Sequence, residues 1–242
     1  MPLQIPNRVI GHRGAAGYAP ENTLASFDRA LSLGCTAVEF DIMLTADGEP
    51  FVFHDENLKR TTNGRGELGL VNADYVKTLD AGSWFSKQFK SEKVLHFRDL
   101  IKWLIFSNVT ANIEIKPYPG TAEQTAITVL SYINRHWPQS KEMPLVSSFD
   151  LNVLSLCHSL SPELPLGLLL HHWDDEWLKK ARELHCYSIH VNKKILTAER
   201  VKEIKDNGYR LFVYTVNWKR QAKKLLDWGV DAVFSDYPDL LS

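Results

Sequence analysis

Eight short apolar segments recur along the 242-residue chain, and stretches with the spacing of amphipathic helices separate most of them. Alternation of this kind is typical of parallel α/β folds. Eight βα units favour a (β/α)8 TIM barrel, in which functional groups gather at the C-terminal ends of the strands. The predicted strands cover residues 8–13, 36–42, 110–116, 144–148, 164–170, 187–192, 210–216 and 231–236.

An open, doubly wound sheet is the alternative fold. It needs fewer strands and usually a glycine-rich phosphate turn, but residues 11–20 lack the GxGxxG spacing. If the fold is a barrel, a turn at residues 46–48 joins the second strand to segment 49–55. This segment is either the hairpin partner of that strand or its continuation. Asn22 is predicted to cap a helix over residues 20–34, which Gly34 ends. A later helix is predicted over residues 173–184.

Residues 56–97 break the alternation, because they are rich in turn residues and include a basic run. We interpret them as a small insertion after the second strand, lying over one end of the main fold. The chain as a whole, residues 1–242, is predicted to form one domain around one core, a length that α/β barrels commonly reach.

Charge and cysteine content narrow the class of protein. Lys and Arg number 28 against 29 Asp and Glu, so no global field favours nucleic acid or an anionic membrane. Three widely spaced cysteines suit buried free thiols and a reducing compartment. The chain begins without a signal-like segment, and its apolar runs are far shorter than the roughly 20 residues that span a bilayer. We therefore expect a cytoplasmic protein; the sequence does not indicate its oligomeric state.

Acidic side chains lie on single faces of two predicted strands. Side chains alternate across a strand, so Glu39 and Asp41 share one face of the second strand, and Asn112, Glu114 and Lys116 share one face of the third. Three carboxylates converging inside a barrel mouth would repel one another unless a cation joins them, and an all-oxygen set suits Mg²⁺ or Ca²⁺. The alternative is that these acids only pair with a barrel Lys or Arg.

Two histidines and two cations accompany these acids. His12 and His54 end strand-like segments, and a pair of imidazoles can share general acid and base work at a scissile bond. A structural or metal-binding role is the alternative, although neither HxH nor HExxH spacing occurs. Arg13 and Lys116 can bind a phosphate or pair internally with the acids. The combination indicates an anionic substrate, most simply a phosphate ester.

Several motifs together resemble the glycerophosphodiester phosphodiesterase family in its compact cytosolic bacterial form. They follow the family's order over essentially the whole chain. The motifs are His12-Arg13-Gly14, Pro20-Glu21-Asn22-Thr23, Glu39-x-Asp41, Thr45-x-Asp47-Gly48, His54-Asp55, Glu114-Ile115-Lys116, Thr215-Val216-Asn217-Trp218 and Ser235-Asp236-Tyr237-Pro238.

The resemblance implies a TIM barrel with a small insertion after the second strand, and it implies roles for particular residues. One divalent metal ion, Mg²⁺ or Ca²⁺, would be held by Glu39, Asp41 and Glu114. His12 and His54 would be the general acid and base. Arg13 and Lys116 would bind the phosphate. Independently of the resemblance, Trp218 follows Asn217 at a strand end and is a candidate wall of the glycerol pocket, with a structural cap of the barrel as the alternative.

Weaker candidates lie at other strand ends or in the insertion, where a substrate contact and a purely structural role are equally open. They are Phe149, His171, His172, Trp173, His190, Asn192, Trp84 and Phe85.

The predicted function is metal-dependent hydrolysis of glycerophosphodiesters to sn-glycerol 3-phosphate and an alcohol. The predicted partner is this small molecule, with no nucleic acid and no stable membrane anchoring. Two alternatives stay open: lysophospholipase D-like hydrolysis of a lysophospholipid, and a non-catalytic barrel that binds phosphodiesters. The motifs do not decide which histidine is the acid. Nor do they decide whether water or the substrate's own glycerol hydroxyl attacks.

Overall fold

The computed structural model describes residues 5–6 and 8–241, and these form a closed barrel. Eight strands pair in parallel, and the first of them pairs with both the second and the last, which closes the ring. The predicted TIM barrel is thereby confirmed. The strands are β1 (Val9–His12), β2 (Ala37–Leu44), β3 (Pro50–Val52), β4 (Thr110–Ile115), β5 (Leu145–Ser148), β6 (Leu166–Leu170), β7 (Ser188–Asn192), β8 (Arg210–Tyr214) and β9 (Ala232–Ser235).

Among the described residues, the one strand outside the parallel ring is β3. It pairs with β2 in antiparallel orientation, with Ile42 opposite Val52. The turn between them closes when the Gly48 N–H donates to the Thr45 carbonyl at 2.9 Å. Gly48 has a φ of +82°, a left-handed conformation that glycine adopts without steric cost. Of the two possibilities for segment 49–55, the hairpin is therefore the one that forms.

Helices follow most of the parallel strands and cover the outside of the barrel. The helix predicted over residues 173–184 begins only at Trp177, because residues 174–177 form a turn in which Asp174 accepts from the N–H groups of Glu176 and Trp177. The helices are α1 (Leu24–Ser32), α2 (Ala73–Thr78), α3 (Phe97–Ser107), α4 (Ala122–His136), α5 (Leu151–Leu160), α6 (Trp177–Glu183), α7 (Ala198–Asp206) and α8 (Lys219–Asp227).

The predicted cap of α1 is wrong by one residue. Thr23 is the N-cap, and its Oγ1 accepts from the Ser26 N–H at 3.3 Å. Asn22 has a φ of +59°, which turns its side chain away from the helix start and toward Asp41. The Asn22 amide is therefore part of the site described below rather than a helix cap.

The strands bury apolar side chains on their outer faces against the helices, while the barrel interior is mixed. Val38, Phe40 and Ile42 of β2 belong to the large core between strands and helices. A smaller interior cluster fills part of the barrel, and polar side chains occupy the rest. Its buried members are Ile10, Ala37, Leu145, Phe212, Ala232 and Phe234. The three cysteines are buried and free, as predicted.

Residues 53–96 form the connection between β3 and α3, which we call the β3–α3 segment. It contains α2 and two short 3₁₀ turns, and its apolar residues pack with Met43 and Phe51 into a cluster separate from the main core. Trp84 and Phe85 pack on each other within this segment. No helix in the described part of the chain is long and apolar enough to cross a membrane.

Candidate active site

A cavity of about 250 Å³ opens at the C-terminal ends of the barrel strands. Its acidic and basic side chains next to the predicted metal site come from β1, β2 and β4, from the residue after β1 and from the β3–α3 segment. The neighbouring strands β6, β8 and β9 supply largely apolar and aromatic groups. The lining residues are His12, Arg13, Glu39, His54, Asn112, Glu114, Ser147, Phe149, Leu169, His171, His190, Tyr214, Thr215 and Phe234.

The three predicted metal ligands lie close together, and two of them, Glu39 and Glu114, line this cavity. Parallel pairing of β2 with β4 sets Asp41 opposite Glu114, and side-chain alternation keeps Glu39 on the same face as Asp41. Each residue offers one carboxylate oxygen, and these oxygens all lie within 4.8 Å of one another. The structure thus brings together acids that are more than seventy positions apart in the chain.

Burial and mutual repulsion make this cluster electrostatically costly. Burial, together with the negative charge of Asp41, raises the pKa of Glu39 well above its usual range and the pKa of Glu114 to about 8. Burial also opposes ionisation of Asp41, but the charge of Arg13 and a hydrogen bond from Asn22 at 2.9 Å help to lower its pKa. Near neutral pH, Asp41 is ionised while Glu114 retains its proton.

The donor set fits a hard divalent cation. Three carboxylates offer only oxygen ligands, which Mg²⁺ and Ca²⁺ prefer. The Glu114 Oε1 atom is buried and has no hydrogen-bond partner among the described residues, so a cation there would satisfy it. A cation would also remove the repulsion that raises the two pKa values. The acids therefore offer suitable oxygen ligands for a metal ion, and a bound cation would reduce the repulsion among them.

The two predicted phosphate-binding cations lie beside these acids. The Arg13 Nη1 is 2.6 Å from Glu21 Oε1, and its Nε is 3.5 Å from Asp41 Oδ2. The Lys116 Nζ is 3.8 Å from Asp41 Oδ1 and 3.9 Å from Glu114 Oε1. Internal ion pairing therefore occurs for both cations. Arg13 also lines the cavity, whereas Lys116 lies at its edge in a neighbouring depression.

His12 is oriented by residues from the other end of the chain. Its Nδ1 lies 2.7 Å from Asp236 Oδ1, and a carboxylate can only accept, so Nδ1 carries the proton. Asp236 is fixed in turn by Asn217, whose Nδ2 donates to Oδ2 at 2.5 Å and whose Oδ1 accepts from the Asp236 N–H at 3.0 Å. This arrangement leaves the His12 Nε2 to act at the cavity.

His54 has a matching arrangement built from different residues. Its Nδ1 lies 2.6 Å from Asp55 Oδ1, and Arg60 in turn binds that carboxylate. Burial lowers the pKa of His54, and the charges of Arg13 and Lys116 lower it further against the opposing effect of the nearby carboxylates. The imidazole is therefore neutral near pH 7. The Asp55 carboxylate holds its tautomer, since only Nδ1 faces that acceptor.

The cavity floor is polar and involves His190, one of the weaker candidates. Its Nε2 lies 2.9 Å from Ser188 Oγ, and its ring packs between Phe212 and Phe234. Complete burial lowers the pKa of His190 to about 3, so the ring is neutral. A Cβ on Gly167 would come within 2.7 Å of the His190 Nε2, so this glycine makes room for the ring.

The remaining aromatic candidates divide between the cavity wall and the outer surface. Phe149 and His171 line the cavity with ring centroids 6.5 Å apart. Trp218 precedes α8, is 74% exposed and is not among the lining residues, so its role as a pocket wall stays a prediction. Trp173 packs on Trp177, away from the cavity lining.

Sequence reasoning did not single out four residues that hold the candidate site together. Three of them lie in motifs that resemble the family, and that position is the signal that could have identified them: Asp236, Asn217 and Asp55. Arg60 belongs to none of them, and nothing in its local sequence marks it.

Comparison with known proteins places this site in a family. Residues 12–240 match the model of the glycerophosphoryl diester phosphodiesterase family. A glycerophosphodiester phosphodiesterase of Caldanaerobacter subterraneus is 34% identical over 237 residues, covering 96% of this chain and 95% of that protein. One from Bacillus subtilis is 33% identical over 257 residues, covering 98% of this chain and 87% of that protein.

A solved structure extends the similarity to the whole barrel. The Oleispira antarctica phosphodiesterase, in complex with the product sn-glycerol-3-phosphate, superposes with a TM-score of 0.94. It is 36% identical in sequence, and the match covers 97% of this chain and 94% of that one. Both kinds of comparison span nearly the full length of the chain. The chain therefore belongs to the glycerophosphoryl diester phosphodiesterase family, a family of enzymes.

Proposed function

We propose that this protein hydrolyses glycerophosphodiesters to sn-glycerol 3-phosphate and an alcohol, with the help of one divalent cation. The observation that carries the proposal is the meeting of three carboxylates, within 4.8 Å of one another, with two imidazoles that line the same cavity. The product named for the Oleispira relative has the chemistry that this cavity would hold.

Glu39, Asp41 and Glu114 would hold the cation, Mg²⁺ or Ca²⁺. When bound, the cation would draw electron density from a phosphate oxygen and offset the charge that develops there. Arg13 and Lys116 lie next to the same acids and would bind the remaining phosphate oxygens. A phosphodiester carries a single negative charge, so the bound cation, Arg13 and Lys116 would together attract it.

His12 and His54 would move the protons. Each imidazole has its Nδ1 engaged by an aspartate, so each has Nε2 for the reaction. One Nε2 takes the proton of the attacking hydroxyl, and the other returns a proton to the leaving alcohol oxygen. The attacking group is water or the glycerol hydroxyl next to the phosphate. Following the reaction by ³¹P NMR distinguishes them, since the second route produces a cyclic phosphate.

The test is release of choline from glycerophosphocholine by chelator-treated protein, with Mg²⁺ and Ca²⁺ restored separately. We expect activity to disappear on chelation and return with one of the ions. His12→Ala and His54→Ala should each lower kcat by about 10²- to 10⁴-fold. His136→Ala, on the outer helix α4, is the matched control.

Four outcomes would count against the proposal. Full activity after chelation would contradict the cation site. Undiminished activity of His12→Ala would contradict its role as acid or base. Faster choline release from lysophosphatidylcholine would show that the substrate is a lysolipid, as in the lysophospholipase D-like alternative. Binding without turnover of either compound would favour the non-catalytic barrel.

A further inference from the structure

We propose that Arg60 is a positioning residue for the reaction, holding His54 and Arg13 in a fixed relation to each other. This inference rests on the proposed function, because it assigns those two side chains to catalysis and phosphate binding. Arg60 belongs to the β3–α3 segment and does not line the cavity. Its effect would pass through two carboxylates, Asp55 and Glu21.

Arg60 binds both carboxylates with its whole guanidinium fork. Its Nε and Nη2 donate to Asp55 Oδ2 and Oδ1 at 2.5 and 2.9 Å. Its Nη1 and Nη2 donate to Glu21 Oε2 and Oε1 at 2.7 and 2.8 Å. Both contacts are bidentate, the geometry in which arginine fixes a carboxylate in direction as well as in distance.

Each carboxylate also contacts one side chain to which the proposed function gives a role in the reaction. Asp55 Oδ1 lies 2.6 Å from His54 Nδ1, and Glu21 Oε1 lies 2.6 Å from Arg13 Nη1. An unbroken chain of contacts therefore runs from Arg13 through Glu21, Arg60 and Asp55 to His54. The groups proposed to bind phosphate and to transfer a proton are linked by one residue outside the cavity.

The arrangement depends on arginine in particular. Asp55 and Glu21 are both acidic, and a single guanidinium lies between them. Without it the two carboxylates would repel each other, and each would keep a single partner, Arg13 for Glu21 and His54 for Asp55. A lysine supplies one compact charge and cannot make two bidentate contacts at once.

His12 provides a contrast within the same site. Its carboxylate, Asp236, is held by the neutral amide of Asn217, and no residue of the β3–α3 segment takes part. The segment therefore supports one imidazole and leaves the other untouched. Loss of Arg60 should disturb His54 and spare His12, which makes His12 an internal control.

The experiment compares wild type with Arg60→Lys and Arg60→Ala. The matched control is Arg65→Gln, an exposed position in the same segment. We expect kcat for glycerophosphocholine to fall by about 10- to 100-fold in both Arg60 variants, the usual cost of losing a partner that orients a working group. Added guanidinium ion should restore part of the activity of Arg60→Ala but none in Arg60→Lys, whose ammonium occupies the site.

A second readout reports position directly. In ¹⁵N NMR spectra of the imidazoles, wild-type His54 should show the tautomer protonated at Nδ1. Arg60→Ala should show a mixture of tautomers at His54 and an unchanged spectrum at His12. Because Arg60 is 44% exposed, the variants should remain folded, which thermal unfolding verifies.

Three results would overturn the inference: wild-type kcat in both Arg60 variants, an unchanged His54 tautomer, or an equal loss of kcat in Arg65→Gln. The two results that concern kcat require an active wild-type enzyme, so either of them would leave the proposed function intact. Inactive wild type would instead refute the proposed function, while the tautomer comparison would still test the link from Arg60 to His54.

Discussion

Replacing Glu114 with glutamine tests the electrostatics of the acid cluster in the cation-free protein. Burial, with the charge of Asp41, raises the pKa of Glu114 from 4.5 to about 8. Between these two values the folded state binds a proton that the unfolded state has released. The stability contributed by the protonated group is complete below pH 4.5 and is lost as the pH rises toward 8.

The size of this loss follows from the shift. Each pH unit inside the window costs about 1.4 kcal/mol for one group, so wild type should lose about 3 kcal/mol from this residue between pH 5 and pH 7. Glu114→Gln has no proton to release and lacks this loss. The difference in unfolding free energy, variant minus wild type, should rise by the same amount and level off above pH 8.

The assay is urea unfolding of both proteins in the presence of a chelator at four pH values from 5 to 8. Other titrating groups, such as His54, occur in both proteins and largely cancel in the difference. Adding Ca²⁺ or Mg²⁺ should reverse the wild-type loss, because the cation binds the ionised carboxylate. A difference that stays flat across this range would refute the reasoning, and so would equal stabilisation of both proteins by the cation.

Three further changes test individual contacts. Asp236→Asn should lower kcat at least about tenfold in the choline-release assay, because the amide has one acceptor oxygen for two donors, His12 Nδ1 and Asn217 Nδ2, and no longer fixes the His12 tautomer; an unchanged kcat would contradict that role. Gly167→Ala should lower the unfolding free energy by about 1–3 kcal/mol, because its Cβ meets His190; a neutral result in urea unfolding would show that the ring can move. Thr23→Ala should cost about 1 kcal/mol in the same measurement as a lost helix cap, and wild-type stability would contradict that assignment.

Local patterns predicted the parts of this protein that depend on a few neighbouring residues. Strand alternation placed Glu39 and Asp41 on one face, and parallel pairing then brought Glu114 to them. The turn after β2 was predicted from its residues, but only the structure decided that a hairpin follows it. The start of α6 and the cap of α1 were wrong because Asp174 and Asn22 hydrogen-bond elsewhere, and such competition is invisible in a linear pattern.

The sequence by itself determined the barrel, the acids that face its mouth and the family to which the chain belongs. These are consequences of side-chain periodicity and short motifs. Only the tertiary structure decided what orients the two imidazoles. Asp236 reaches His12 across 224 positions because β9 closes the ring beside β1. Arg60 reaches Glu21 across 39 positions because the β3–α3 segment packs beside the mouth. Hydrogen bonds depend on distance in space, which the order of residues along a chain does not record.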